Sequence, residues 1–390
     1  MKAPGAATAT AHAAAGARRP AAPVHLERLS VRDFRNLARE DLLLPAAGAV
    51  IVGENGHGKT NLLEAIYYLQ LLRSARGARD SELVRFGADG FHLAATGDFP
   101  QAREVRVGFA RQGARKKVTH DGVAPPRLSD GLGGVPGVLL SPRDVSLVAG
   151  SPRERRRFLD IALALSSPSY LHALQGYRGA LARRNAALRS GGRRAGAEAA
   201  VAAWEPSLAA HGAALWAERL AWVATHAGEF TRLCAAIGER GSAVLGYTSR
   251  HAVREGGTAV LAAALESQRS HDLRRGLTHA GPHRDDLSLS LDGRELRLYG
   301  SAGQQRTASL ALRLLEWATL RDAIGRVPLL LLDDPFAELD ARRAERVLAL
   351  LGEGGIGQAV LAVPREGDIP PDFTRLERFR VRDGAIEGAS

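Results

Sequence analysis

The eight residues from 53 to 60 constrain the fold of this 390-residue chain more than any other segment. They read Gly-Glu-Asn-Gly-His-Gly-Lys-Thr, follow the apolar run Ala49–Val52, and lead into Thr60–Leu72, where apolar residues recur with helical spacing. Glycines between a strand and a helix let backbone N–H groups surround phosphate oxygens, and the helix N-terminus adds positive potential. The sequence therefore predicts a P-loop. Its predicted nucleotide-binding residues are Gly53, Glu54, Asn55, Gly56, His57, Gly58, Lys59 and Thr60.

The chemistry of a nucleotide site needs further side chains besides the loop glycines. We expect Lys59 to reach the β- and γ-phosphates of ATP and Thr60 to hold Mg²⁺. The apolar run Val327–Leu332 is typical of a parallel strand buried on both faces, and it ends at two acids. Asp333 is predicted to bind Mg²⁺, and Asp334 is predicted to be the catalytic group that polarises the attacking water. Two exposed aspartates that only cap a strand are the alternative.

A third segment lies about 26 residues before that strand, at Tyr299–Arg306. It reads Tyr-Gly-Ser-Ala-Gly-Gln-Gln-Arg and joins a predicted hairpin to the predicted helix Ser301–Ile324. A serine and a glycine at a helix start are able to bind a phosphate from outside. Taken alone, the segment is equally typical of a helix N-cap with a flexible turn. Its place before Val327–Leu332 resembles the signature motif of ABC-type ATPases.

Charge and cysteine content narrow the class of protein. The formal net charge is +11, and almost all basic residues are arginines, which favours a polyanionic partner such as nucleic acid, with an indifferent basic surface as the alternative. The one cysteine, Cys234, permits no intramolecular disulfide and fits a reducing cytoplasm. No apolar run is long enough for a membrane span, so no membrane partner is expected. Residues 1–24 lack acids and a compact apolar stretch, and we expect a disordered tail.

The order of the predicted elements indicates an α/β domain interrupted by helices. Strands are predicted at His25–Phe34, 91–97, 104–110, Leu287–Leu291, Glu295–Leu298 and Gln358–Val363, helices at Ser301–Ile324 and Ala341–Leu351, and hairpin turns at 120–122 and 292–293. Between Pro152 and Arg275, alanine, leucine and arginine dominate, and the Gly191-Gly192 pair and Pro206 divide the segment into several helices. We therefore expect a first lobe part at 25–150, a helical arm at 151–280 and a second lobe part at 281–390.

These segments, in this order, resemble the RecF family of bacterial recombination mediators. The matching segments are 29–37, 53–61, 150–160, 281–286, 299–306 and 331–340. The resemblance implies an ABC/SMC-type P-loop ATPase head with an inserted α-helical arm domain, acting in DNA replication and repair. It implies an ATP-dependent homodimer in which Ser301, Gly303 and Gln304 act in trans on the partner's nucleotide, with Asp340 in the D-loop. It also implies binding to gapped or junction DNA, work with RecR- and RecO-type mediators and a RecA-type recombinase, and a place in the bacterial cytoplasm.

Three departures from ABC-type patterns concern hydrolysis. Asp334 stands where a glutamate is usual, Ala337 stands where serine is frequent in the D-loop, and 362–364 offer no switch histidine. No glutamine is evident near 141–144, where we place the Q-loop. ATP binding is unaffected by these changes, and a slow, DNA-stimulated ATPase is expected.

Rival classes are distinguished by segment lengths and motifs. A transporter ATPase subunit remains the alternative, although it should lack the segment 281–286 and carry a shorter helical insertion. Ser301 follows Lys59 by only 242 positions, too few for a long coiled coil, and a single cysteine excludes a Cys-x-x-Cys hook. A small-molecule P-loop kinase would have no Ser-x-Gly-Gln segment.

Three smaller groups of residues have two interpretations each. His283, Asp285 and Asp286 are interpreted as a structural loop that couples the arm to the nucleotide site, with a metal site as the alternative. Three arginines on one predicted helix either bind DNA phosphates or form a solvated face; they are Arg183, Arg184 and Arg189. Three tryptophans are interpreted as helix-packing residues, with base stacking as the alternative; they are Trp204, Trp216 and Trp222.

Overall fold

The computed structural model describes residues 22–191, 196–251, 256–337, 339–353 and 355–388. Its strands are β1 His25–Phe34, β2 Leu37–Leu43, β3 Gly48–Val52, β4 Gly90–Asp98, β5 Glu104–Ala110, β6 Arg115–His120, β7 Gly137–Leu140, β8 Ala243–Thr248, β9 Asp286–Leu291, β10 Arg294–Glu295, β11 Leu329–Asp333, β12 Ala359–Val363, β13 Glu377–Arg382 and β14 Ala385–Gly388. Its helices are α1 Lys59–Leu71, α2 Asp80–Leu83, α3 Ser146–Ala149, α4 Pro152–Ser166, α5 Pro168–Gly191, α6 Ala197–Ala202, α7 Glu205–Ile237, α8 Gly257–Arg275, α9 Leu296–Tyr299, α10 Ala302–Ile324 and α11 Ala341–Glu353.

A six-stranded sheet in the order β14-β13-β3-β12-β11-β7 lies at the centre of the lobe. Its strands are parallel except for the β13–β14 hairpin. Because successive side chains of a strand point to opposite faces, β3 places Val50 and Val52 in one core and Ala49 and Ile51 in the other. Burial on both faces explains the near-continuous apolar runs that the sequence shows at these strands.

A five-stranded antiparallel sheet, β2-β1-β4-β5-β6, covers one face of the central sheet, with α1 packed between the two. Aromatic rings from three elements meet in this layer: Phe34, Tyr68 and Phe91 pack edge to face with centroids 5.2–6.0 Å apart. The layer fixes α1, and thereby the loop that precedes it.

The arm is formed by α4 to α8. Its apolar residues share one core with the second face of the central sheet. Trp216, Trp222 and Phe230 of α7 belong to one cluster with Leu312 of α10 and Leu330 of β11. The expectation of a wholly helical arm was wrong in one respect, because β8 lies within it and pairs antiparallel with β9 of the second lobe part. The arm is therefore joined to the lobe by a sheet as well as by helix packing.

Most predicted elements are confirmed, and three expectations are corrected. The turn at 120–122 closes only an isolated bridge between His120 and Val123, since the chain from β5 to β6 already reverses at 112–114. The strand expected at Glu295–Leu298 is not formed: β10 ends at Glu295, and the short helix α9 follows. The disordered tail cannot extend to residue 24, because Val24 is buried and its N–H donates to Val327 O at 2.8 Å. Residues 1–21 of that expected tail lie outside the described residues.

Candidate nucleotide site and signature segment

The predicted P-loop connects β3 to α1 with a backbone that requires glycine at specific points. Gly56 and Gly58 have φ angles of 90° and 119°, a region that side-chain-bearing residues rarely adopt. Gly53 has ordinary backbone angles, but a Cβ there would lie 2.4 Å from the carbonyl oxygen of Val381. The glycines predicted to surround phosphates are thus needed for the loop shape itself.

Lys59 is the first residue of α1, and its side chain is folded back over the loop. Its Nζ donates to the carbonyl oxygens of Gly53 and Glu54, the latter at 2.9 Å. Burial lowers the pKa of Lys59, while the carboxylates of Asp333 and Asp334 oppose that shift. Among the described residues, the hydrogen-bond acceptors of this buried ammonium are two neutral carbonyls, which it is well suited to exchange for phosphate oxygens that carry full negative charge.

The two predicted Mg²⁺ ligands meet although they are 273 residues apart in the chain. Thr60 Oγ1 donates to Asp333 Oδ1 at 2.9 Å. In the central sheet, β3, β12 and β11 are neighbouring parallel strands, so their carboxyl ends lie at the same edge. The end of β11 therefore lies close to α1, which begins after β3. Burial raises the pKa of Asp333. A hydroxyl and a carboxylate oxygen at this distance form a donor set that fits Mg²⁺, which prefers oxygen ligands and has few protein ligands in nucleotide sites.

Asp334 adopts a left-handed conformation, with φ of 46°. Its N–H donates to Ala362 O at 2.9 Å, which fixes the turn at the end of β11. Burial is the main cause that raises the pKa of Asp334, and the negative charge of Asp368 adds to it. Asp368 closes a short helical turn after β12 and was missed in the sequence, where nothing ties it to the motif.

The signature segment lies at the start of α10 with Ser301 as the N-cap. Ser301 Oγ accepts a hydrogen bond from Gln304 N at 3.3 Å, and Gln304 Oε1 accepts one from Ser301 N at 2.9 Å. The N-cap interpretation is therefore correct within a single chain. Ser301 nevertheless remains exposed, and the preceding Leu298 and Tyr299 are 63% and 70% exposed. Exposed apolar side chains next to an exposed N-cap leave this segment accessible to a partner surface.

Two arginines join the signature segment to other parts of the lobe. The buried Arg306 donates to Ser141 O and Pro335 O, both at 2.7 Å, so the expected Q-loop region and the turn after Asp334 share one side chain. A Cβ on Gly303 would lie 2.9 Å from Nη1 of Arg343.

The predicted D-loop residue is tied to the signature through that second arginine. Asp340 accepts a hydrogen bond from the backbone N of Arg343 at 2.9 Å, and it lies 3.6 Å from the Arg343 guanidinium. Asp340 therefore begins α11 as its cap, and its side chain is exposed on the same side of the lobe as Ser301's neighbour Gln304.

A network of polar side chains behind the P-loop was missed by the sequence analysis. Asn36 Nδ2 donates to His57 O at 3.1 Å, and Asn61 Nδ2 donates to Asn36 Oδ1 at 2.8 Å. Glu64, 1% exposed, accepts from Arg76 and from the Ser74 hydroxyl, the latter at 2.6 Å. Arg76 also donates to Asn61 at 2.5 Å, which links the two halves. These residues brace the loop from beneath. Asn36 and Asn61 fall in the matched segments 29–37 and 53–61, but their contact with each other was not predicted.

The segment 281–286 lies at the junction of arm and lobe, and its acidic side chains contact arm residues; its coupling to the nucleotide site stays a prediction. Asp285 accepts from Trp216 Nε1 at 2.5 Å and from the Tyr247 hydroxyl at 2.9 Å. Asp286 forms a two-point ion pair with Arg155, with distances of 2.8 and 2.7 Å. Within the described part of the chain, no group of three or more metal-ligating side chains is arranged to hold an ion.

The three arm arginines do not share one environment. Arg184 is fully buried and forms ion pairs with Glu205 and Asp272, so the expectation that it contacts DNA phosphates was wrong. Arg183 and Arg189 are exposed on the same helix, and the guanidinium of Arg183 lies 5.1 Å from the centre of the Trp204 ring. Periodicity alone could not separate them, because a buried arginine with acidic partners has the same sequence spacing as a solvated one.

Comparison of the sequence with known proteins shows the family to which the chain belongs. No protein-family model matches the chain. A DNA replication and repair protein RecF from Anaeromyxobacter sp. (strain K) is 44% identical over 371 residues, covering 92% of this chain and 97% of that relative. The chain belongs to the RecF family. Another RecF protein, from Chloroflexus aurantiacus, is 39% identical over 399 residues and covers 93% of this chain and 99% of that relative.

Solved structures agree with the RecF assignment. The recombination mediator RecF of the RecFOR pathway, solved with ATP, is 26% identical with a TM-score of 0.87, over 96% of this chain and 100% of that one. An Smc head bound to the C-terminal winged-helix domain of ScpA is 17% identical with a TM-score of 0.52, over 94% and 97%. The present chain therefore has the fold of ABC/SMC-type ATPase heads. Among the described residues, no helix combines the length and apolarity that crossing a bilayer requires.

Proposed function

We propose that this RecF-family chain is an ATP-dependent DNA-binding protein that closes as a dimer on DNA and opens again after slow hydrolysis. The observation that carries the proposal is the contact between Thr60 and Asp333 beside the buried Lys59, which assembles a phosphate- and Mg²⁺-compatible site from distant segments. The likeness to a RecF structure solved with ATP supports the choice of nucleotide.

Each residue of the site has a role in this proposal. Gly53 to Thr60 cradle the phosphates, with Lys59 on the β- and γ-phosphates and Thr60 and Asp333 as ligands of Mg²⁺. When bound, Mg²⁺ neutralises charge on the phosphate oxygens. Asp334 orients the water, and its side chain, one methylene shorter than the usual glutamate, favours slow turnover. Asp368 keeps a second negative charge close by.

Dimer formation rests on the surface around the signature. Ser301, Gly303 and Gln304 offer a helix N-terminus to a second chain's γ-phosphate, and Asp340 faces the same side. The exposed Leu298 and Tyr299 supply apolar area beside it. Because a signature completes the site only in a partner, ATP binding by each monomer favours association in this proposal.

DNA is the proposed polyanion, in keeping with the +11 charge and with the names of the relatives. Arg183 and Arg189 are retained as candidate contacts on the arm. We further propose action at gapped DNA together with RecR- and RecO-type mediators, loading of a RecA-type recombinase, and a location in the bacterial cytoplasm. The RecFOR pathway named for the solved RecF structures supports the RecR- and RecO-type partners.

The test follows DNA release with ATP present. Labelled duplex, single-stranded and gapped DNA are bound, and dissociation is followed after a chase with unlabelled DNA. Asp334→Asn should keep ATP binding, slow hydrolysis and lengthen the DNA-bound lifetime, because the water is no longer polarised. Asp333→Asn should weaken the Mg²⁺-dependent steps as well. Asp322→Asn, at an exposed carboxylate near the end of α10, is the matched control.

Two outcomes would reject the timing model. One is that wild type and Asp334→Asn leave DNA at the same rate while hydrolysis differs. The other is that ATP changes neither DNA affinity nor the oligomeric state of the wild type. A slower release of Asp334→Asn that the Asp322→Asn control does not share would support it.

A further inference from the structure

A cleft at the base of the arm is lined by arginines from four separate segments. Its cavity measures about 580 Å³, within the range of roughly 300–1,000 Å³ found for ligand pockets. We call it the arginine cleft and define it by Arg73, Arg153, Arg156, Arg157, Arg178 and Arg219. They come from the loop after α1, from the first turns of α4, from α5 and from α7.

Negative charge in the cleft falls far short of this positive charge. Asp160 is the carboxylate among its described lining residues, and it already accepts hydrogen bonds from Arg178, Arg219 and the Tyr170 hydroxyl. His283, also in the wall, is held neutral because burial lowers its pKa to about 4. The cleft therefore concentrates positive potential between partly desolvated walls, where a bound anion is favoured.

Two of the arginines are not used by the fold. Across the described ranges, neither Arg73 nor Arg153 forms an ion pair or a side-chain hydrogen bond, although Arg73 is only partly exposed. Burial lowers the pKa of Arg73, and the charges of Arg157 and Arg178 lower it further. Placing an unpaired guanidinium beside like charges costs free energy, which a bound anion would recover.

Two further arginines, Arg156 and Arg157, are held in place by backbone oxygens, whereas Arg178 and Arg219 share the Asp160 carboxylate. Arg157 Nη2 donates to Ser74 O at 2.8 Å, and Arg156 Nη1 donates to Asp285 O at 2.5 Å. Carbonyl partners orient these side chains without neutralising them, so their charge stays available to a ligand. Apolar side chains complete the wall at Leu174 and Leu181.

We propose that the arginine cleft is a binding site for backbone phosphates of a nucleic-acid strand. The proposal rests on the proposed DNA binding and gives it a location at the base of the arm. It differs from the candidate contacts Arg183 and Arg189, which lie further along α5 on an exposed surface. Guanidinium groups from several directions suit a chain of phosphates, since each fork binds one phosphate by two hydrogen bonds.

The test measures DNA affinity of the full chain as a function of salt. The double variant Arg73→Gln and Arg153→Gln removes two charges that no described side chain pairs with, so the fold should be kept, as urea denaturation would verify. If both arginines contact duplex phosphates, the slope of log affinity against log salt should become less steep by about 1.8. Arg375→Gln with Arg382→Gln removes two exposed charges from the lobe as a matched control and should leave the slope unchanged.

The possible outcomes separate this inference from the proposed function. A wild-type protein that does not bind DNA would reject the proposed function, and the inference with it. Wild-type DNA binding with equal slopes in the cleft variant, or with equal losses in both variants, would reject the cleft alone. Inorganic pyrophosphate serves as the second probe in thermal denaturation. Protection by pyrophosphate that the cleft variant loses, with an unchanged DNA slope, would make the ligand a small anion and overturn the nucleic-acid assignment.

Discussion

Arg184 and Asp272 form an ion pair inside the arm in which neither side chain is exposed to solvent. Arg184 Nη1 donates to Asp272 Oδ2 at 2.7 Å, and the same nitrogen donates to the Thr278 hydroxyl at 2.8 Å. Glu205 accepts from the other side of the guanidinium. The pair joins α5 to α8, so it fixes the orientation of two arm helices.

Arg184→Gln should lower the free energy of unfolding by about 3 kcal/mol, because the buried Asp272 and Glu205 carboxylates lose a shared guanidinium and are left with His279 and Arg269 as partners. Arg183→Gln, one residue earlier on the exposed side of the helix, should cost less than about 1 kcal/mol through its cation–π contact. Urea denaturation followed by circular dichroism measures both. Equal losses in the two variants would contradict the buried role of Arg184.

Lys59→Ala should weaken ATP binding at least tenfold, since a charge-assisted hydrogen bond to phosphate contributes about 1.5–3 kcal/mol. Lys117→Ala removes an exposed lysine of β6 and should leave ATP affinity unchanged. Equilibrium binding of a fluorescent ATP analogue compares the two. An unchanged affinity in folded Lys59→Ala would remove the P-loop assignment.

Ser301→Arg should abolish ATP-induced dimer formation and preserve ATP binding by the monomer, because the new cation occupies the exposed cap that we propose meets the partner's nucleotide. Ser270→Arg, on the exposed surface of α8, adds the same charge away from the signature. Sedimentation with and without ATP shows the oligomeric state of each. A dimer of wild-type affinity in Ser301→Arg would show that the signature does not act in trans.

The pH dependence of stability should carry a contribution from His283. Burial lowers the pKa of His283 to about 4, whereas an unfolded chain takes up that proton near pH 6.5. The stabilising contribution is therefore complete above pH 6.5 and is lost as the pH falls towards 4. Between pH 7 and pH 5 it amounts to about 2 kcal/mol of the free energy of unfolding.

His283→Gln isolates that contribution from those of other titrating groups. The variant loses the contact between the Tyr177 hydroxyl and Nδ1, so it should be less stable than wild type at pH 7. The difference between the two proteins should shrink by about 2 kcal/mol at pH 5, because only the wild type is destabilised by this histidine. Urea titrations of both proteins at pH 7 and pH 5 measure this difference in the free energy of unfolding. A constant difference would mean that His283 is already protonated in the folded protein at pH 5.

The sequence was most informative where a pattern has a single structural solution. The P-loop, β11 and α10 were predicted within a few residues, because glycine placement, double-sided burial and an N-cap each restrict the backbone strongly. The meeting of Thr60 with Asp333 also followed from motif chemistry, since both are predicted to bind one ion.

Features set by tertiary contacts were not accessible in the same way. Burial of Arg184 depends on Glu205 and Asp272, which come from two other helices and have no periodic relation to it. β8 lies among helices and is a strand only because β9 pairs with it. Asn36 supports the loop from a turn between β1 and β2; it lies in the matched segment 29–37, but its contact with a loop 21 residues later is set by the tertiary fold.

The central sheet has a consequence for how the protein is made. His57 of the loop is held by the backbone N of Asp383, 326 residues later, and Thr60 meets Asp333 after 273 residues. β3 is flanked by β12 and β13, both near the end of the chain. At about 5–20 residues per second, a ribosome would expose β3 roughly 15–60 s before these neighbours emerge. A nucleotide therefore cannot guide folding of the nascent chain, and its binding can stabilise only the completed, folded protein.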